Sequence, residues 1–341
     1  MKKEKPRIIF LFTSPRDSII NKMKKGECPD TALHGMNYIE GAEHLIVYPK
    51  SFKSLLLIPK LLKYDFIITQ DNLFLGYIVS VLSKIFRIKT YWLYLAINSS
   101  TIICRHVNNS LHLFLLKTIW KSYTKIICIS NEQMMDFQGL GIPSKKLIFI
   151  PFGVDNAFFK PNDFSNEGDF ILSVGRDMGR DYEILLRAAD KLPFKFVIVA
   201  APKNIPKGIE IPANVSVLYN IDISEVRDLY RKARLVAIVS KDQSIPAGSD
   251  CSGQTVILDA LSAGKAVIAT DRSWISDYFS LGSDLIVVKP NSPEMIAKAI
   301  NDLWHNNLKR KEIALSGYNK VNSEYSTKIF SESILRLINS I

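Results

Sequence analysis

The segment SDCSGQTVILDALSAGKAVIATD, residues 249–271, contains a loop, a helix and a strand in quick succession. A polar run with Gly253 leads into a helical pattern that carries one acid, Asp259, and Gly264 follows the helix. The apolar residues after Gly264 have the length and composition of a buried strand. The segment therefore predicts an α/β unit in which the first N–H groups of a helix face an open loop, with a carboxylate about two turns further along.

The same alternation of short apolar strands and longer amphipathic runs extends along the chain. The strand-like segments are RIIFLFT, HLIVYP, DFIITQ, TYWLYL, KIICIS and KLIFIP, and then DFILSVG, FKFVIVA, VSVLY, LVAIVS, AVIAT and LIVV. Such alternation predicts parallel sheets covered by helices. Because 341 residues are too many for one core, we expect two successive α/β domains joined near PFGVDNAFFKP.

Composition and missing motifs exclude several classes of protein. With 47% apolar and 23% charged residues, the chain is globular. The four cysteines lie far apart without a CxxC pair, which favours a reducing compartment. The sequence has no G-x-G-x-x-G loop, no P-loop and no D-x-D pair for a metal-bound diphosphate. The short apolar run near the N-terminus is not typical of a secretory signal, so a cytoplasmic location is predicted.

Positive charge is concentrated in the first half of the chain. Residues 1–150 contain 21 Lys and Arg against 10 Asp and Glu, so the net charge of +11 lies there and the remainder is balanced. In YPKSFKSLLLIPKLLKYD, four lysines accompany a leucine-rich face (Lys50, Lys53, Lys60 and Lys63), and LSKIFRIK and FLLKTIWKSYTK repeat the mixture. Such an excess points to an anionic partner, which could be a membrane surface, a nucleic acid or a phosphorylated acceptor. We expect this half to bind peripherally to the inner, anionic face of the cell membrane, with ordinary sheet-covering helices as the alternative. No nucleic-acid partner is expected, because the aromatic residues fall inside strand patterns.

Four ordered segments resemble a known family of enzymes. They are KIICISNEQMMDFQGLGIPSKKLIFIPFGVDNAFFKP, ILSVGRDMGRDYEILLRAA, NVSVLYNIDISEVRDLYRKARLVAIVS and SGQTVILDALSAGKAVIATD. Together they resemble the retaining glycosyltransferases of family 4 (group 1), which have the GT-B fold. The resemblance implies two Rossmann-like α/β/α domains facing across a cleft. Residues 1–153 would bind the acceptor, residues 154–325 would bind the nucleotide-sugar donor, and the helical run 326–341 would pack back on the N-terminal domain.

Arg176 and Arg180, in VGRDMGRDY, are the predicted catalytic residues. They follow a strand and precede a helix, so they project from the carboxyl edge of the sheet, where open α/β sheets bind ligands. Arginine suits phosphate, and a transferase without a metal needs fixed cations at its leaving diphosphate. In the family the matching positions are Arg and Lys, with the Lys one residue further on. The alternative is that Arg180 pairs with Asp177 or Glu183 on a solvated loop.

The helix of the opening segment is predicted to hold the donor. Its first N–H groups would bind the diphosphate, and the resemblance implies that Asp259 accepts hydrogen bonds from both ribose hydroxyls. The alternative is that Asp259 only complements the helix start. The family usually has a glutamate eight residues before this acid, where this chain has Cys251 beside Asp250. The predicted donor-binding residues are Asp250, Cys251, Ser252, Gly253, Gln254, Thr255 and Asp259.

Acceptor-side candidates lie in the first half of the chain. They are Ser14 in TSPRDS, His34 from the first helix, Asn98 and Ser99 after the fourth strand, and His106 nearby. No metal and no cofactor apart from the donor substrate are expected. The predicted function is transfer of a hexose, with retention, from a nucleotide diphosphate-sugar to a hydroxyl of a lipid-linked or cell-surface glycan precursor. The alternatives are a non-catalytic nucleotide-sugar-binding protein and a GT-B sugar-nucleotide epimerase.

Overall fold

The structure is a computed structural model, and it describes residues 5–48, 51–70, 73–106, 108–161, 163, 167–245 and 247–341. Lys50 lies outside the described residues. The chain forms two compact units. Unit 1 comprises Met1–Asn21, Ala32–Pro151 and Phe330–Ile341, and unit 2 comprises Lys22–Thr31 and Phe152–Ile329.

Unit 1 is built on a parallel sheet of six strands in the order β2-β1-β3-β4-β5-β6. The strands are β1 Ile8–Phe12, β2 Glu43–Ile46, β3 Phe66–Thr69, β4 Tyr91–Ala96, β5 Lys125–Cys128 and β6 Leu147–Phe149. The α-helices of the first 151 residues are α1 Asp17–Lys24, α2 Ile58–Leu61, α3 Leu73–Ile85, α4 Ser99–His106, α5 Ser110–Ser122 and α6 Asn131–Gly139. Shorter 3-10 helices span Asp30–Leu33, Met36–Tyr38, Phe52–Leu57 and Ser144–Lys146.

Unit 2 contains a second parallel six-stranded sheet, in the order β12-β11-β10-β7-β8-β9. Its strands are β7 Phe170–Val174, β8 Lys195–Ala200, β9 Val215–Tyr219, β10 Leu235–Ile238, β11 Val267–Thr270 and β12 Ile286–Val288. The helices are α7 Tyr182–Ala189, α8 Ile223–Lys232, α9 Gln254–Ser262, α10 Ile275–Tyr278, α11 Pro293–His305 and α12 Asn307–Glu324, with a 3-10 helix at Pro202–Asn204. A final helix, α13, spans Thr327–Asn339.

Each of the twelve predicted strand segments overlaps one of the twelve strands in the described part of the chain, although β2 begins one residue before its segment and β4 ends one residue after its segment. The reason is visible in β1, whose five residues are all buried, because a central strand of a helix-covered parallel sheet is apolar on both faces. In unit 1, Trp92, Trp120 and Tyr123 join this core, all of them almost fully buried. No helix of the described chain is both long and apolar enough to cross a bilayer.

Candidate functional site

The strand order of unit 2 places a crevice between β7 and β10. These strands are neighbours, but the chain leaves β7 toward β8 and β9 on one side and leaves β10 toward β11 and β12 on the other. The loops that follow β7 and β10 therefore diverge at the carboxyl edge, and open α/β sheets bind their ligands at such a point. The predicted site residues of the second half all come from these two loops and from α9, which follows the second loop.

Arg180 is buried at this crevice. The residue is only 4% exposed. Its Nη1 donates a hydrogen bond to Ser240 Oγ at 3.0 Å. A Cβ atom on Gly253 would lie 3.1 Å from Nη1, and one on Gly175 would lie 2.2 Å from Nε. The guanidinium thus lies between the loop after β7 and the start of α9, close to the backbone of two glycines. Burial lowers the pKa of Arg180.

The alternative arrangement for Arg180, an ion pair on a solvated loop, is absent from the described structure. Glu183 pairs instead with Arg187 at 2.5 Å, and Asp177 binds other groups. The Nε atom of Arg180 is buried without a hydrogen-bond partner. Within the described ranges, no acidic side chain forms an ion pair with this guanidinium. Its positive charge is therefore available to stabilise an anion at this place.

Asp177 joins the two loops of the crevice. Its Oδ1 accepts hydrogen bonds from Gly179 N at 2.7 Å and from Ser252 Oγ at 3.0 Å, and its Oδ2 accepts one from Ser249 N at 2.9 Å. A Cβ atom on Gly248 would lie 2.0 Å from Oδ1, so the second loop approaches Asp177 through a glycine. This carboxylate fixes the chain that leads into α9.

Helix α9 begins at this crevice with Gly253 as its N-cap. Gly253 has φ +98, a left-handed conformation that favours glycine. The first N–H groups of a helix lack intrahelical acceptors, and together with the helix dipole they attract anions. Because the Arg180 guanidinium lies against Gly253, a buried cation and a helix N-terminus are combined at one point.

A cavity of about 500 Å³ lies beside the helix start within unit 2. A cavity of this size suits a small-molecule ligand. It contains three predicted site residues, Arg176, Thr255 and Asp259. Its full lining is Val174, Gly175, Arg176, Val199, Asn220, Ile221, Asp222, Ile223, Val226, Thr255, Val256 and Asp259. Arg176 is exposed, and its Nη2 lies 3.3 Å from the carbonyl oxygen of Ile221.

Asp259 is half-buried at the inner wall of this cavity. Burial raises the pKa of its carboxyl well above the ordinary range, and the charge of Asp155 acts in the same direction. A carboxylate held in this way gains from hydrogen-bond donors that a ligand brings. Complementing the start of α9 cannot be its main role, because Asp259 is the sixth residue of that helix.

The remaining donor-side candidates surround the start of α9 without lining the cavity. Cys251, Ser252 and Gln254 are buried, with 6%, 1% and 3% exposure. Asp250 accepts a hydrogen bond at its backbone oxygen from Arg272 Nη2 at 3.1 Å.

Sequence reasoning missed three residues of this arrangement. Arg272 also donates from Nη1 to the carbonyl oxygen of Lys241 at 3.1 Å, and so links the loop after β10 to the approach to α9. Asp177 and Ser240 were missed as well, although Asp177 lies between the two predicted arginines. The sequence does contain a signal for Arg272, since it lies two residues after the carboxyl end of β11.

The acceptor-side candidates in unit 1 fall into separate groups. Ser14 is exposed after β1, and His34 is near the same strand, with its ring centroid 5.6 Å from that of Phe12. His34 was expected on the first helix. It lies instead between two 3-10 helices and has φ +52. Burial, and secondly the charge of Arg16, lower the pKa of His34 to about 4.

The other acceptor-side candidates belong to α4. Asn98 is exposed before the helix, whereas Ser99 is fully buried with its Oγ 3.3 Å from the Tyr94 hydroxyl. His106 is at the opposite end of α4, about 10 Å along its axis, and stacks on His112 with centroids 5.0 Å apart. The structure therefore does not bring His106 together with Asn98. Among the described residues, no group of His, Cys, Asp and Glu could hold a metal ion.

Residues 154–320 match the family model described as glycosyl transferases group 1. No curated protein matches the sequence. The chain is similar in structure to Anabaena Alr3699/HepE in complex with UDP-glucose, with a TM-score of 0.74, 14% identity, and coverage of 99% of this chain and 100% of that chain. It is also similar to a glycosyltransferase from Rickettsia africae ESF-5 (TM-score 0.68, 15% identity, 98% of both chains) and to sucrose-phosphate synthase from Thermosynechococcus elongatus (0.66, 14%, 98% and 99%).

The predicted GT-B fold is thereby confirmed. Two parallel six-stranded sheets with their helices match these proteins over nearly the whole chain. Unit 2 holds the segment that matches glycosyl transferases group 1, and this segment includes Arg176, Arg180 and Asp259.

Proposed function

We propose that this protein is a family 4 glycosyltransferase that moves a hexose from a nucleotide diphosphate-sugar to a hydroxyl acceptor with retention at the anomeric carbon. One observation carries the proposal: a buried arginine without an acidic partner in the described structure meets the N-terminus of α9 beside the cavity of unit 2. The family match to this segment supports it, as does the UDP-glucose complex of a protein with the same fold.

The residues of unit 2 take distinct roles in this proposal. Arg176 and the first N–H groups of α9 bind the diphosphate, while Arg180 acts from behind Gly253 and strengthens the positive potential of the helix start. Asp259 accepts hydrogen bonds from the ribose hydroxyls. Val199 and Ile221 supply apolar surface for the base.

The chemistry requires these cations when the donor's glycosidic bond breaks. The bond between the anomeric carbon and the phosphate oxygen is cleaved, and its electron pair goes to the diphosphate, where the fixed positive charges stabilise it. A new bond forms to the acceptor oxygen on the same face, and the acceptor proton passes to the leaving phosphate. No divalent metal takes part in the proposed reaction.

We also propose that unit 1 attaches to an anionic membrane from the cytoplasmic side, where a lipid-linked acceptor would be presented. Phe52 and Leu56 are 86% and 80% exposed, and Lys53, Lys60 and Lys63 are exposed in the same segment. On α5, three apolar residues at i, i+3 and i+4 are exposed as well, namely Leu111, Phe114 and Leu115. Apolar side chains with nearby lysines are typical of interfacial segments.

A second group of lysines supports the membrane proposal. The pKa of Lys146 is lowered by burial and then by the charges of Lys84, Lys145 and Lys125. Next to Lys84, at the end of α3, Ile85 and Phe86 are 65% and 66% exposed. The positive potential and the apolar residues thus occur together at a second place in unit 1.

A donor hydrolysis assay tests the catalytic proposal. Purified protein is incubated with UDP-, GDP- and ADP-sugars, and release of the free sugar is followed. Slow hydrolysis of one donor supports a transferase. Binding of a nucleotide sugar without turnover would instead support a non-catalytic binding protein, which the buried Cys251 at the usual glutamate position would explain.

Flotation with anionic liposomes tests the membrane proposal. Binding is expected to fall steeply with salt, because exposed charges are screened. Replacing Lys53, Lys60 and Lys63 together by Gln should weaken it without changing donor affinity. The matched control replaces three exposed lysines of unit 2, Lys298, Lys309 and Lys311. Equal losses in both variants, or no binding at low salt, would contradict the proposal.

A further inference from the structure

The sheet of unit 1 has its own point of divergence, between β1 and β3. From β1 the chain moves to β2 on one side and then crosses to β3 on the other. Loops at the carboxyl ends of such strands form the usual ligand-binding place of an open α/β sheet. The segment that directly follows β1 contains Ser14 and Arg16.

Arg16 is buried at this place, with 9% exposure. Its Cζ lies 4.5 Å from the centroid of the Phe12 ring, and Nη1 donates to Ser14 Oγ at 2.5 Å. Nε is buried and has no hydrogen-bond partner. In the part of the chain that the structure describes, Arg16 forms no ion pair with an acidic side chain. Stacking on an aromatic ring stabilises a buried cation only partly. A bound anion would supply the missing negative charge and the missing hydrogen-bond acceptor.

A helix N-terminus lies at the same position. Arg16 directly precedes α1, and its carbonyl oxygen accepts the hydrogen bond from Ile20 N at 2.8 Å. The first N–H groups of α1 therefore begin next to the arginine, and the combination of guanidinium and helix start favours phosphate. The positive potential extends to His34, whose pKa Arg16 helps to lower. The carboxylate in the first turn, Asp17, has His44 as a neighbour, with Nε2 and Oδ1 3.3 Å apart.

We propose that Arg16 and Ser14, at the N-terminus of α1, form a subsite for a phosphate group. Two sources share this chemistry, a phosphate of the acceptor and the diphosphate of the donor. The acceptor is favoured because the proposed function, on which this assignment rests, already gives the diphosphate to α9 and Arg176. The acceptor would then be a phosphorylated sugar or a lipid-linked phosphate.

Calorimetric titration with inorganic phosphate tests the subsite without requiring turnover. Arg16→Gln is expected to weaken phosphate binding at least tenfold, because charge-assisted hydrogen bonds are lost. Arg16→Lys keeps the charge without the planar fork, so its phosphate affinity should lie between those of the wild type and Arg16→Gln. Ser14→Ala should weaken phosphate binding a few-fold while leaving the fold intact. Arg105→Gln removes an exposed arginine of the same unit and should change nothing. Undiminished binding in both Arg16→Gln and Ser14→Ala, or no binding by the wild-type chain at millimolar phosphate, overturns the proposal.

The source of the phosphate is decided by repeating the titration with saturating UDP. If inorganic phosphate still binds, and Arg16→Gln leaves UDP affinity unchanged, the subsite serves the acceptor. If UDP displaces phosphate and Arg16→Gln weakens both ligands alike, the subsite holds the donor's diphosphate and the acceptor assignment is wrong. An absence of glycosyl transfer would count against the proposed function alone, because phosphate binding is measured directly.

Discussion

Each of the two sheets has a buried arginine near its carboxyl edge, but the surroundings of the two arginines differ. In each unit an arginine is buried shortly after the first strand, Arg180 in unit 2 and Arg16 in unit 1, and each has a buried Nε without a hydrogen-bond partner. Arg180 packs against backbone at Gly175 and Gly253, whereas Arg16 packs on the Phe12 ring. Both guanidinium groups donate to a serine hydroxyl, Ser240 in unit 2 and Ser14 in unit 1. The difference is that glycine backbone lies close to Arg180, whereas an aromatic side chain lies against Arg16. Under the proposed function, the backbone contacts suit the diphosphate that all donors share, and the side-chain contacts suit a part of the acceptor.

The largest effect is expected for Arg176→Ala, because Arg176 is the exposed arginine that lines the cavity of unit 2. Loss of one preorganised group that stabilises developing charge lowers turnover by about 100-fold or more. Steady-state kinetics with the preferred donor measure it. Arg187→Ala is the matched control, since Arg187 is exposed on α7 and pairs with Glu183. Unchanged turnover in a folded Arg176→Ala variant would remove Arg176 from the catalytic site.

A smaller loss of activity is expected for Asp177→Ala, which tests whether the site in unit 2 depends on the fixed backbone of its two loops. Without the three hydrogen bonds of this carboxylate, the loop before α9 is no longer fixed to the loop after β7. We expect kcat/KM to fall by about tenfold to thirtyfold, in line with the loss of one or two net hydrogen bonds. Asp177→Asn should recover part of it, because its amide oxygen can still accept from Gly179 N. If Asp177→Ala lowers only thermal stability, Asp177 has no positioning role.

Asp259→Asn should change donor binding and stability in opposite directions. UDP affinity is expected to fall by about tenfold, as charge-assisted hydrogen bonds to the ribose become neutral. The ligand-free protein should become more stable at pH 7, because the carboxyl has a raised pKa in the folded state. With a raised folded pKa, the free energy of unfolding falls as pH rises from about 4 through the folded value. The variant should lack this part of the pH dependence when its thermal unfolding is measured at several pH values between pH 4 and pH 8. A less stable variant would contradict the assignment.

The comparison of the two edges also shows what could be predicted from the sequence. The positions of all twelve strands within the described residues were predictable, because buried parallel strands are continuous apolar runs. Arg176 and Arg180 were recognisable by their motif after β7. Asp177 was not, since two of its three partners, Ser249 N and Ser252 Oγ, lie 72 and 75 residues further along the chain. Arg16 was missed because burial of a single arginine depends on how Phe12 and α1 pack, which no spacing in TSPRDS reveals.

The smallest effect, none within error, is expected for removal of divalent metal. Arg176 and Arg180 are fixed cations, so they can neutralise the growing charge of a diphosphate without Mg²⁺ or Mn²⁺. Turnover should therefore be the same with EDTA as with added Mn²⁺. The measurement sharpens the comparison of the two arginines when it is repeated with Arg176→Ala. If Mn²⁺ rescues that variant but leaves the wild type unchanged, the metal replaces the missing guanidinium. Positive charge would then be what Arg176 contributes to turnover. Complete loss of wild-type activity in EDTA, restored by Mn²⁺, would mean that the arginines alone do not stabilise the leaving group.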